Sequence, residues 1–169
     1  MTNGEIEANC SAEIIDATGT ILADSRLRPQ CALSDLERAS LRKANIKKSE
    51  ISQFTASDFA TLTDLSTERS YEIVGLHSFQ TLRSVGVASS EDLWQLGFSS
   101  PGQLVGQHPF AMYLAYSTLV GELVDRCVED VFRCAVAQVE WKSLPIKATD
   151  WWAWTRYRGE ARLPPRSTF

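Results

Sequence analysis

The chain has 169 residues, 44% hydrophobic and 22% charged, with a net charge of −4. That is enough for one self-sufficient core. No 18-residue apolar run occurs, so the composition excludes a membrane-spanning helix. The acidic balance counts against a nucleic-acid binder taken as a whole, but the charge is uneven. Residues 1–30 hold five acidic and two basic side chains, whereas residues 151–169 hold Arg156, Arg158, Arg162 and Arg166 against Glu160. The start MTNGEIEANC lacks a basic stretch followed by an apolar one, so a cytoplasmic setting is expected.

Residues 1–30 show no sustained period and are expected to form a poorly ordered N-terminal arm; Ile14/Ile15 and Ile21/Leu22 leave a short helix or strand pair open. From Ser34 the pattern turns helical. Ser34 is placed to cap, Glu37 occupies the capping-box position, and Leu33, Leu36 and Leu41 outline an apolar side up to Asn45. TASDFATL predicts a short helix with Thr55 as cap. A longer helix is expected from Ser66 to about Leu82, with Ile73, Val74, Leu76 and Phe79 apolar. Ser89 or Ser90 is expected to cap the next, which stops at Gly97. Ser100-Pro101 starts a short helix that Gly106 ends, and His108-Pro109 starts another. The last long helix is expected from about Leu123 to Trp141, where Val124, Cys127, Val128, Val131, Phe132, Ala135 and Val139 follow 3-4 spacing. No alternating strand pattern occurs. The predicted fold class is all-α.

A twenty-residue repeat organises the middle of the chain. Phe59-Ala-Thr-Leu62-Thr-Asp-Leu65-Ser66 aligns with Phe79-Gln-Thr-Leu82-Arg-Ser-Val85-Gly86. Each copy reads as a helix end, a turn and the next helix start, so two hairpins in tandem would share the Ser66–Leu82 helix. LRSVGVASSEDLWQLGF has the outline of a helix-hairpin-helix. Such a hairpin holds backbone phosphate through the N–H groups of its turn and of the following helix start, where the helix dipole favours an anion. The candidate contacts are Arg83, Ser84, Val85, Gly86, Val87 and Ala88. Ser84 stands where a first glycine would, and Val87-Ala88 where a lysine would add charge. Glu91 and Asp92 are expected in the first helical turn, competing for the same N–H groups. Two readings therefore stay open: a weak, sequence-independent grip on DNA backbone, or a hairpin that serves only as scaffold for a protein partner.

Trp151, Trp152 and Trp154 beside Arg156 and Arg158 also admit two uses. They suit a C-terminal lid over the core, with at least two rings buried, and the arginines suit a clamp on nucleic acid. Cys127 and Cys134 are expected to be buried, reduced and quiet. The helix carrying them is expected to bear surface pairs Arg126–Asp130 and Asp130–Arg133. No metal-ligand spacing, phosphate loop or Ser/His/Asp set is visible, so neither cofactor, metal nor catalytic residue is assigned.

FQTLRSVGVASSEDLWQLGF, VDRCVEDVFRCAVAQ and DWWAWTRYRG carry a resemblance. From about Leu33 to Glu160 the chain resembles the pathogenicity-locus family of small bacterial helix-hairpin-helix proteins, some of which bear a mitomycin-resistance label. The resemblance implies a tandem helix-hairpin-helix (SAM-like) domain over residues 31–160, followed by a tail at 161–169. It implies no cofactor and no established enzymatic activity. In that family a proline and a lysine often follow the hairpin glycine, where this chain has Val87 and Ala88. The expected role is that of a DNA-binding accessory protein in DNA maintenance or stress response, with a protein-interaction module as the alternative.

Overall fold

The computed structural model describes residues 29–141 and 143–169. The expected N-terminal arm lies almost wholly outside the described residues. Six α-helices follow in order: α1 Asp35–Lys43, α2 Ala56–Thr63, α3 Thr67–Phe79, α4 Val87–Gln95, α5 Pro109–Val120 and α6 Cys127–Glu140. Short 3-10 turns lie at Lys48–Gln53, Pro101–Leu104, Ile146–Thr149, Trp151–Tyr157 and Arg166–Thr168. Among the described residues there is no strand. The described residues form an all-helical fold, and no helix among them is long and apolar enough to cross a membrane.

Local chemistry sets most boundaries. Ser34 Oγ accepts the Glu37 N–H while the Glu37 carboxylate accepts the Ser34 N–H, a closed capping box. Thr55 and Ser66 cap α2 and α3 through the N–H groups of Asp58 and Arg69. α1 buries Leu41 beside Leu33, but Leu36 is 80% exposed. The three leucines do not share one face.

The apolar side chains gather in three connected clusters. Leu33, Leu41, Ile51, Phe59 and Ile73 close the first. The second joins Phe79, Val85, Leu93 and Leu96 to Met112 and Tyr116 of α5 and Phe132 of α6. Cys134, Ala137, Ala148 and Trp154 form the third. α3 links the first two, since Ile73 belongs to one and Phe79 to the other. It also lets a neighbour come close at Gly75, where an added Cβ would stand 2.2 Å from Trp94 Cζ3 and 2.7 Å from the Ser99 carbonyl oxygen.

α6 is the axis of the C-terminal half, packed on α5 and on the Trp151–Tyr157 segment. It begins at Cys127, four residues later than expected. Its buried positions include Glu129, Asp130 and Arg133 at 0% exposure. The expected surface lattice is therefore a buried one with different partners.

Candidate nucleic-acid interface

The repeat seen in the sequence recurs in the backbone. Phe59 and Phe79 are both fully buried. Asp64 and Ser84, twenty residues apart, both adopt left-handed backbone, at φ 59° and 65°. The next residues, Leu65 and Val85, turn back into the core, and Ser66 and Gly86 are the N-caps of α3 and α4. An aspartate and a serine can hold the left-handed turn that would more readily take glycine.

The second turn is bolted to the C-terminal half. The Arg83 backbone pairs twice with the Gln138 amide: its N–H donates to Oε1 and its carbonyl accepts from Nε2, both at 2.8 Å. Ser84 Oγ donates to the Thr149 carbonyl at 2.8 Å and accepts the Trp151 N–H at 3.2 Å. Serine at this position thus supplies two tertiary bonds that glycine could not. Its N–H neighbour in the turn, Val85, donates to Leu82 O at 3.3 Å and is buried.

The two helix starts differ. Ser66 Oγ occupies the start of α3, with Glu68 in its first turn. Gly86 brings no side chain to α4, whose first turn holds no acidic residue. The helix starts at Val87, two to three residues ahead of the expected serine caps. Ser90 is buried, its hydroxyl donating to Val87 O. The shift moves Glu91 and Asp92 out of the first turn. Glu91 accepts the Cys31 N–H at 2.9 Å, and Asp92 accepts the Tyr116 hydroxyl at 2.5 Å. Gly86, Val87 and Ala88 are exposed, and an added Cβ at Gly86 would meet nothing within 4 Å. The start of α4 is thus an open, uncapped set of backbone N–H groups with the positive end of the helix dipole behind it. Arg83 is exposed beside it.

The C-terminal arginines divide. Arg156 is exposed, its guanidinium 5.1 Å from the Tyr157 ring centre and 5.7 Å from that of Phe169. Arg158, expected as a nucleic-acid contact, is instead committed to buried Asp130. Its Nη2 donates to Oδ2 at 2.5 Å, and its Nε lies 3.0 and 3.1 Å from the two oxygens. That hydrogen bonding raises the Arg158 pKa above its already high value. Next to it, Arg133 pairs with Glu129 at 2.7 Å and donates to the carbonyls of Glu160 and Arg162. Glu129 also accepts the Gly159 N–H at 2.7 Å and lies 2.8 Å from Arg126. The expected Arg126–Asp130 and Asp130–Arg133 pairs give way to these contacts.

Of the three lid tryptophans, Trp154 is fully buried, its Nε1–H donating to Ala148 O at 2.9 Å. Trp151 packs partly buried against the central cluster, and Trp152 is 60% exposed. Cys134 is buried, and burial pushes its thiol up to about 11. Cys127 is half-buried rather than buried, with its pKa raised by desolvation and then by Asp125. Among the described residues no group of three His, Cys, Asp or Glu is placed to hold a metal ion. Gln138 was not singled out in the sequence. A glutamine among core positions of a helix carries no local signal that its amide clamps a turn 55 residues away.

No curated protein and no solved structure matches the chain. A family model described as pathogenicity locus matches residues 72–160, from the middle of α3 through the Arg158 contact. The match covers the uncapped turn, α6 with its buried charges, and the tryptophan segment that binds them. It begins well after Leu33, so the first apolar cluster lies mostly outside it. It spans more than half of the sequence, and on that ground the chain belongs to the pathogenicity-locus family.

Proposed function

We propose that the second turn is a helix-hairpin-helix that binds nucleic-acid backbone without reading sequence, as part of an accessory protein in DNA maintenance or stress response. The observation that carries this reading is the contrast between the sister turns. Ser66 closes the start of α3 with its own hydroxyl, whereas Gly86 leaves the start of α4 open. A phosphate would meet the N–H groups of Gly86, Val87 and Ala88, with Arg83 adding charge. The carboxylates of Glu91 and Asp92, held elsewhere, do not fill the site. Ser84, Val85 and Arg158, expected as contacts but engaged within the fold, are left out of the contact set, and Arg156 stays in it.

Binding should be weak and salt-sensitive. With few phosphates contacted, the log–log salt slope on duplex should be about −1 to −4, at roughly −0.9 per phosphate. Gly86→Glu should abolish it by setting a carboxylate where the phosphate would sit, in space that the fold leaves open. Arg83→Ala should weaken binding and remove about one unit of slope. A salt-titrated anisotropy measurement on duplex DNA checks both. Duplex affinity unchanged in Gly86→Glu would refute the reading.

A second reading has its own support. α5, PFAMYLAYSTLV, carries no charged residue, and Ala111, Leu114 and Ala115 are exposed on it. A groove of about 510 Å³ runs beside it, lined by Leu96, Phe98 and Met112 among others. An uncharged rim of this kind suits a protein partner, with the hairpin as scaffold.

A further inference from the structure

We infer that the concavity beside Trp152 is a site for an unpaired nucleobase of a single strand, so that the preferred ligand of this surface is single-stranded rather than fully duplex. The inference rests on the backbone-binding reading above only for where the strand would continue. The concavity, about 560 Å³, is lined by Lys147, Trp152, Thr155, Arg156 and Phe169 with Ala153 and Thr168. No acidic side chain lines it.

Trp152 stands out from its neighbours. Trp151 packs on the central cluster and Trp154 fills the third, yet Trp152 between them is 60% exposed. It touches Trp151 in a T-shaped contact, ring centres 5.8 Å apart and planes at 82°. That contact holds one side of the indole and leaves most of it in water. A large ring kept outside the core at the rim of a concavity offers a flat apolar surface with little rotamer freedom to lose. Nucleobases stack on such rings whatever their identity.

The charges fit the same ligand. Lys147 and Arg156 are exposed on the lining and would meet the phosphates flanking a stacked base. Arg156 is steadied over Tyr157 and Phe169 by cation–π contacts. Thr155 donates to Asp130 Oδ2 and Thr168 to the Pro165 carbonyl, so both hydroxyls of the lining are engaged within the fold, and the site keeps stacking and charge rather than base-edge readout. The location links it to the hairpin. Ser84 Oγ bonds to Thr149 and Trp151. Trp152 therefore lies one residue from that junction and Gly86 two residues from it, at most about 20 Å apart through the chain. A strand leaving the Gly86 site can reach Trp152 within a few nucleotides.

The full chain is tested with a dT12 oligonucleotide, a U12 oligonucleotide and a 12-base-pair blunt duplex at low salt, following anisotropy and tryptophan emission. The expected result is tighter binding of a 12-mer single strand than of duplex, with quenching of emission. Trp152→Ala should weaken the single strand on the order of tenfold, while Trp152→Phe retains most of the affinity and duplex binding is unchanged. The better of dT12 and U12 identifies the strand that supplies the base. Single-strand affinity unchanged in Trp152→Ala, or no single-strand binding at all, overturns the base site. If Gly86→Glu at the same time abolishes duplex binding, the hairpin reading survives that failure. Conversely, a tenfold loss in Trp152→Ala with duplex binding indifferent to Gly86→Glu leaves the base site standing and removes the hairpin.

Discussion

His77 shows how one buried ring makes the fold sensitive to acid. It lies 6% exposed in α3, and its Nδ1–H donates to the Ile73 carbonyl at 2.8 Å. Its other nitrogen, Nε2, has no partner. Desolvation lowers the His77 pKa, and the positive charges of Lys48 and Arg69 act in the same direction. Folding therefore selects the neutral ring. The unfolded chain takes up a proton more readily, so this contribution is complete above about pH 6.5 and is lost as pH falls from there through the lowered folded value. Wild type should lose more melting temperature between about pH 7.5 and 5.5 than His77→Gln, and equal losses would show that the ring does not titrate in that window. Glu37 acts lower down. Its hydrogen bond from Arg69 depresses its pKa, so its contribution is lost only as pH falls below the ordinary carboxylate value. Two glycines give a second contrast at this scale. Gly75→Ala drives a Cβ into the Trp94 ring and should cost about 1–3 kcal/mol in urea unfolding. Gly86→Ala enters open space at an extended backbone and should stay within about 0.5 kcal/mol.

At the scale of elements, α6 is held by charges that its own sequence does not announce. Arg133 and Glu129 are both wholly buried, and Arg133 also grips two carbonyls of the C-terminal segment. Arg133→Met frees two carbonyls and leaves buried Glu129 with Arg126 as its remaining ionic partner, so it should cost up to about 3–5 kcal/mol in denaturant unfolding. The double change Arg133→Met with Glu129→Leu should cost less than the sum of its parts, and strict additivity would mean that the pair is not coupled. These contacts were illegible because the residues completing them, Arg158 through Arg162, lie up to 30 positions away. Local features were legible. Ser34, Thr55 and Ser66 each reach an N–H three residues on, and that spacing is written in the sequence. The start of α4 departs from the expected serine caps because two serines look like caps while a glycine contributes only absence. The consequence reached the candidate site, since starting α4 at Val87 takes Glu91 and Asp92 away from its N-terminus. The repeat marks a turn between the Phe79 helix end and the next helix start, but the left-handed backbone at Ser84 and its bonds to Thr149 and Trp151 are not foreseeable from either stretch alone.

For the whole molecule, the C-terminal twenty residues complete the core rather than decorate it. Trp154 fills the third cluster against Trp141 and Phe169, and Arg158 and the carbonyls of Glu160 and Arg162 satisfy α6. Truncation before Asp150 should lower stability by several kcal/mol, since losing a buried tryptophan alone is worth about 3–5 kcal/mol. A truncated chain that melts with the full chain would contradict this arrangement. The Ser84 bonds make the same truncation loosen the turn between α3 and α4, so amide exchange at Arg83 to Ala88 should quicken along with that of α6.

The dependence of Arg133 on residues that follow it by up to 29 positions also sets an order in time. Translation proceeds at roughly 5–20 residues per second, so α6 emerges from the ribosome seconds before the carbonyls and the guanidinium that neutralise its inner face. During that interval Asp130 keeps water as its partner, and the Cys134 thiol stands open to electrophiles that the finished fold excludes. Pulse labelling of nascent chains stalled behind a C-terminal linker long enough to span the exit tunnel should modify Cys134 when the protein sequence is cut at Trp141 and protect it when the sequence runs past Arg162. A thiol that the finished fold buries and pushes up to about 11 is thus open to attack at birth.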